Sequence, residues 1–122
     1  MTASVPARNI KLKRAYDPPA RSDGARVLVD RLWPRGVKKT EAAIDRWEKD
    51  IAPSPALRKW FAHDPARWAE FSRRYARELD RHPEEVAALR RLARARPITL
   101  VFAARDEAHN NAVALRKFLL RR

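Results

Sequence analysis

Two short apolar runs constrain this chain most. They are VLV at residues 27–29, inside RVLVDRLWPRG, and ITLVF at residues 98–102. Each is strand-sized, rich in β-branched residues and apolar at consecutive positions, as a strand covered on both faces must be. The chain between them is patterned as helix, and a helical crossover joins strands that run parallel. The sequence therefore predicts an α/β fold: a small parallel-type sheet with helices packed on it, in a single domain.

The first run is read as a strand over residues 26–32, the middle of the sheet. Upstream, NIKLKR alternates Ile10 and Leu12 against Lys11 and Lys13, which predicts a strand with both apolar residues on its buried face. Residues 1–9 show no periodicity and are expected to be a flexible N-terminus, with residues 10–122 as the domain. AYDPPARSDGAR is a loop, because Pro18 and Pro19 fix the backbone and Asp23-Gly24 is turn chemistry.

Prolines and caps divide the middle of the chain. Thr40 is expected to cap a helix that places Ala43, Ile44, Trp47 and Ile51 on one face and stops at Pro53. Ser54-Pro55 restarts a helix with a hydroxyl cap and a proline in its first turn, burying Leu57, Trp60 and Phe61. Asp64-Pro65 repeats the device ahead of Trp68, Phe71, Tyr75 and Leu79, which lie at spacings of three and four. Pro83 breaks that helix, and Val86, Leu89 and Ala93 mark another that stops before Pro97. After the second run, Asp106 is expected to cap a final helix with Ala108, Ala112, Leu115 and Leu119 inward.

Composition bounds the chemistry. The chain has 122 residues and no cysteine, so disulfides, thiolate metal sites and thiol nucleophiles are excluded. No apolar run approaches membrane-spanning length, and a cytoplasmic protein with no membrane partner is expected. The formal net charge is +13, with ten Lys and Arg against three Asp in residues 1–39. Such an excess suits phosphate or nucleic acid, and is also what solvated helix faces with a coding bias toward arginine produce. The three histidines show no metal-ligand spacing, no phosphate-binding glycine loop or nucleophile elbow is present, and the four serines offer no triad. No metal or cofactor is predicted.

In a parallel sheet, ligands bind beyond the carboxyl ends of the strands. The first run ends there on Asp30, Arg31, Trp33, Arg35 and Gly36, and the second on Ala103, Ala104, Arg105, Asp106, His109 and Asn110. Arg31, Arg35 and Arg105 are expected to converge, giving planar forks for a carboxylate or phosphate. Asp30 and His109 are the candidate acid–base groups. Each residue also has a structural reading: Asp30 as an ion-pair partner of an arginine, the tryptophans as packing, and Asp106 with Glu107 as first-turn carboxylates. Two carboxylates at a helix start would repel an anion there.

Together, IKLKRAYDPP, DGARVLVDRLWPRGVKK, WEKDIAPSPALRKWFAHDPARWAEFSRRYARELD and ITLVFAARDEAHNNAVALRKFL resemble domain-of-unknown-function family 488, in its short YeaO-like branch, from Ile10 to Leu119. The resemblance implies a small bacterial cytoplasmic α/β protein with a parallel-type sheet, and no established activity. It carries over Asp30, Arg31, Pro34, Arg35, Gly36, Ser54, Arg58, Arg105, Asp106 and Asn110, adding Ser54 and Arg58 to the candidate ligand-binding set. Longer relatives carry a cysteine and a Cys-His-Arg cluster after their last strand. Here Phe102 stands at the first position and Asn110, Asn111 and Ala112 replace the cluster, so that chemistry does not transfer.

The leading functional expectation is a pocket at the carboxyl edge of the sheet for a small anionic, phosphate- or nucleotide-like ligand. The alternatives are a hydrolase or transferase using Asp30 and His109, a nucleic-acid accessory protein using the basic N-terminal third, and an ion-pair network that only stabilises the sheet edge.

Overall fold

In the computed structural model, which describes residues 4–121, both apolar runs become inner strands of a four-stranded sheet. β1 (Ile10–Arg14), β2 (Ala25–Leu28), β3 (Arg46–Trp47) and β4 (Ile98–Phe102) lie in the order β1-β4-β2-β3, and every neighbouring pair is parallel. Ile98 stands opposite both Ile10 and Ala25. Every residue of β2 and β4 is buried, as inner strands covered on both faces require.

The helices share one face. α2 (Pro55–Phe61), α3 (Trp68–Leu79), α4 (Pro83–Ala95) and α5 (Asn111–Leu119) send Leu57, Phe71, Tyr75, Leu79, Leu89 and Leu115 against Val27, Val29, Leu100 and Phe102. The strict alternation of a strand sends Leu28 and Val101 to the opposite face, where Trp33, Val37, Ile44 and Trp47 cover them. Among the described residues no helix is long and apolar enough to cross a membrane.

The predicted caps hold for α2 and for the turn before α3. The Ser54 hydroxyl accepts the Leu57 amide at 3.1 Å, with Pro55 in the first turn. Asp64 accepts the Ala66 amide at 3.0 Å over a 3-10 turn, Pro65–Arg67, that leads into α3.

Four local expectations are corrected. The helix read from Thr40 to Pro53 is one turn, α1 (Lys39–Ala42), without a side-chain cap, ended by Ala43 in left-handed backbone (φ 52°). The chain then becomes β3, because the outer edge of β2 draws it in. The Asp45 carboxylate accepts the Arg26 amide at 2.8 Å, while the Asp45 and Glu48 amides donate to the Arg26 and Leu28 carbonyls at 2.9 Å each. Leu12 is exposed (37 %), since β1 is an edge strand. The strand expected to reach residue 32 leaves the sheet after Val29, where the Asp30 carboxylate takes the next ladder position by accepting the Ala103 amide at 2.9 Å. Asn110, not Asp106, caps α5, accepting the Val113 amide at 3.0 Å, and Ala108 lies outside the helix, exposed.

Of residues 1–9, residues 1–3 lie outside the described residues. Ala7–Asn9 form a 3-10 turn, and the Arg116 guanidinium donates to the Ala7 and Ile10 carbonyls at 2.9 and 2.7 Å. In the loop before β2, Asp23 is buried and accepts from Arg26 Nη1 at 2.7 Å and Lys13 Nζ at 2.9 Å. Gly24, at φ 64°, lets the Pro97 carbonyl come in to the Ala25 amide at 3.2 Å.

Candidate functional site

The carboxyl ends of β2 and β4 open into a cleft of about 860 Å³, within the range of small-molecule sites. Its floor is the chain that leaves the two inner strands, Asp30-Arg31 on one side and Ala103 to Asp106 on the other. The start of α5 contributes Asn110 and Asn111, and α2 with the segment before it forms the facing wall.

Asp30 is fixed from two directions. One oxygen accepts from Asn111 Nδ2 at 3.0 Å and the other from the Ala103 amide at 2.9 Å. The same Asn111 amide group also donates to the Val29 carbonyl at 3.0 Å. Burial pushes the Asp30 carboxyl above its ordinary value, against the two hydrogen bonds and the positive charge of Arg58. The expected ion pair with a neighbouring arginine is replaced by neutral donors.

The cations behave differently. Arg31, Arg58, Lys59 and Arg105 line the cleft, and none has a side-chain hydrogen bond or ion pair among the described residues. Arg31 Nε is buried without a hydrogen-bond partner. Arg58 and Lys59 are on α2, whose position the Ser54 cap sets; Glu78 on α3 accepts from the Ser54 amide and hydroxyl at 2.8 and 2.7 Å. Ser54 itself faces an adjoining depression, with Arg31, Asp50, Glu78 and Arg81.

Asp106, at the cleft, and His109 form a unit. The Asp106 carboxylate accepts the Ala108 and His109 amides at 2.9 and 3.0 Å and meets His109 Nδ1 at 2.9 Å. These bonds, that to His109 foremost, hold its pKa below the ordinary value. The His109 ring stands edge-on to Trp68 at 5.3 Å and is not among the residues lining the cleft with Asp30. Because α5 starts at Asn110–Asn111, its first turn carries no carboxylate, and the repulsion expected from Asp106 and Glu107 is not at the helix end. Asn110 is buried, using its oxygen on Val113 and its nitrogen on the Asp106 carbonyl.

Of the predicted residues, Asp30, Arg31, Arg58, Arg105, Asp106 and Asn110 come together at the cleft. Trp33, Arg35 and Gly36 do not. Trp33 packs edge-on to Trp47 at 5.4 Å under the opposite face and donates to the Val37 carbonyl at 2.7 Å. The exposed Arg35 and Gly36 belong to a turn held by Tyr16, whose hydroxyl donates to the Arg35 carbonyl at 3.0 Å. Sequence reasoning missed Lys59, His63 and Asn111. Asn111 carried a signal, as one of the residues standing where longer relatives have their cluster. His63 carried none: left-handed backbone at Ala62 and His63 (φ 49° and 56°) turns it to the cleft. In the basic N-terminal third, Lys13 and Arg26 are held by Asp23, and Arg14 by the Ala103 and Ala104 carbonyls.

A one-domain parallel α/β fold with a cation-lined cleft at the carboxyl edge of its inner strands defines the class. Within it, the chain belongs to the DUF488 family: the family described as "Inactive DUF488-N3 subclade" matches residues 9–122. The chain is 46 % identical over 111 residues to the uncharacterized protein YeaO of Escherichia coli (strain K12), covering 91 % of this chain and 96 % of that one. It is 40 % identical over 110 residues to the uncharacterized proteins Mb3100c of Mycobacterium bovis and Rv3073c of Mycobacterium tuberculosis, covering 90 % of this chain and 92 % of each relative. No solved structure matches it.

Proposed function

We propose that this protein binds a small organic anion, a carboxylate or phosphate, in the cleft and does so without turnover. The observation that carries the reading is the set of four cations, Arg31, Arg58, Lys59 and Arg105, that line one cleft and have no side-chain hydrogen bond or ion pair among the described residues. Guanidinium groups left without intramolecular acceptors are the donors that carboxylates and phosphates engage. The N-terminus of α5 adds a favourable dipole from the same side. The subclade description, inactive, favours binding over acid–base catalysis.

Isothermal titration against a panel of organic carboxylates and phosphates tests this. Saturable heat is expected for at least one member and is lost when Arg58→Ala and Arg105→Ala are combined. Both side chains are exposed, so the double variant keeps the fold. Arg35→Ala, outside the cleft, leaves the heat unchanged. A panel with no binder, or binding that survives the loss of both cations, refutes the reading.

A further inference from the structure

The cleft is not uniformly polar, and its two chemistries are separated by depth. Arg58, Lys59 and Arg105 are exposed at its mouth. Ala52, Pro53, Phe61 and Phe71 are buried side chains that still present surface to it, with Phe61 and Phe71 at 5 % and 2 % exposure and stacked at 4.3 Å. A bare ion at the mouth leaves that wall wet, whereas a ligand with an apolar body removes it from water in proportion to the area covered. We infer that the ligand is an amphipathic monoanion, an aryl or alkyl acid whose uncharged body lies along the Phe61–Phe71 wall and whose single charge stays with Arg58 and Arg105.

Asp30 gives the inner part of the cleft its selectivity. Its carboxylate is held in place by Asn111 and the Ala103 amide, and among the described residues no cation is bonded to it, Arg58 acting on it only through its charge. A ligand with a second negative charge at its far end would carry that charge away from the exposed Arg58, Lys59 and Arg105 and along the Phe61–Phe71 wall, whose side chains carry no donor. There it meets desolvation and the like charge of Asp30 together. The raised pKa of Asp30 shows that this environment already works against a carboxylate. Diacids are therefore rejected, while monoacids of the same shape enter.

This inference rests on the anion-binding reading, and rigid fluorescent acids separate the two. The probe is 2-naphthoate, titrated by fluorescence and calorimetry at neutral pH against 2-naphthamide, 2,6-naphthalenedicarboxylate, acetate and inorganic phosphate. Naphthoate is expected to saturate the protein, with the amide and the diacid each at least tenfold weaker and acetate and phosphate without measurable binding. Arg58→Ala weakens naphthoate at least tenfold, and Arg35→Ala does not. If acetate or phosphate binds as tightly as naphthoate and depends on Arg58, the anion reading stands and the amphipathic ligand is refuted. If the amide binds as tightly as the acid, both readings fall. Equal affinity for diacid and monoacid refutes the part given to Asp30, and no naphthoate binding at all refutes the inference as a whole.

Discussion

Replacing Gly24 by alanine should destabilise the protein far more than the same change at Gly36, though both glycines have positive φ (64° and 80°). At Gly24 a Cβ would lie 2.1 Å from the Pro97 carbonyl oxygen and 2.8 Å from its carbon; at Gly36 nothing lies within 4 Å. The Pro97 carbonyl cannot retreat freely, because it accepts the Ala25 amide at 3.2 Å, and Thr99 beside it donates to the Asp23 carbonyl at 2.7 Å. Opening that approach combines about 1–3 kcal/mol of overpacking, about 1 kcal/mol for a weakened hydrogen bond and about 1 kcal/mol for a backbone (φ 64°, ψ −140°) that residues other than glycine rarely adopt. Gly24→Ala is therefore expected to cost about 4 kcal/mol, and Gly36→Ala only the strain, about 1 kcal/mol. With a urea m-value of about 2 kcal/mol/M, the midpoints fall by about 2 M and about 0.5 M respectively. Equilibrium urea unfolding followed by tryptophan fluorescence reads both. Equal midpoint shifts for the two variants would refute the claim that close approach to the Pro97 carbonyl adds to what the backbone at position 24 already requires.

Two further stability tests concern the buried charges. Asp23→Ala leaves the Arg26 guanidinium, 3 % exposed, without its carboxylate and should cost about 3–5 kcal/mol; replacing both residues by leucine should recover most of that in urea unfolding, and a double variant no better than the single would count against the pair. Asp30 titrates above its ordinary 3.8 in the folded state, so the folded protein holds a proton that the unfolded chain has released. Its contribution to stability is present at low pH and is lost as pH rises from about 4 through the folded value. The Asp30→Asn variant should therefore gain on the parent as pH rises from 4 to 8; a constant difference in unfolding free energy would contradict the desolvated setting of Asp30.

The elements that could be read from the sequence were those with a local cause. Val27 to Val29 were apolar at every position and ITLVF at all but Thr99; Ser54-Pro55 and Asp64-Pro65 marked helical starts that the fold keeps, and Pro83 marked the break between α3 and α4. β3 was hidden because Arg46–Trp47 has no periodicity of its own, and Ile44, Trp47 and Ile51 happen to match a helical face. What makes it a strand is the unfilled edge of β2, which no local pattern records. The start of α5 was misplaced because Asp106 and Asn110 behave alike, each accepting amides two or three residues on, and the helix follows only the second. At the site, the sheet edge was predictable from topology, so Asp30, Arg31 and Arg105 could be placed there. Topology did not tell which arginine would join them: Arg35 lies past a turn that leads away, and Arg58, which only the family resemblance added to the set, arrives on α2, brought by long-range packing. Asn111 as the keeper of Asp30 likewise depends on contact between residues 81 positions apart.

The strand order has a consequence in time. β4 lies between β1 and β2, so neither early strand pairs with the other; β1 has β4 as its neighbour, in a register that sets Ile10 against Ile98. A nascent chain that has emerged only as far as Arg96 already contains β1, β2 and β3 yet lacks the strand that unites them. The aliphatic faces of β1 and β2 wait for one late segment, and the loop closed by its arrival spans most of the chain, which places the rate-limiting search in non-local pairing. The cleft inherits this schedule: its two floor segments follow β2 and β4, so it exists only once the last strand has been inserted.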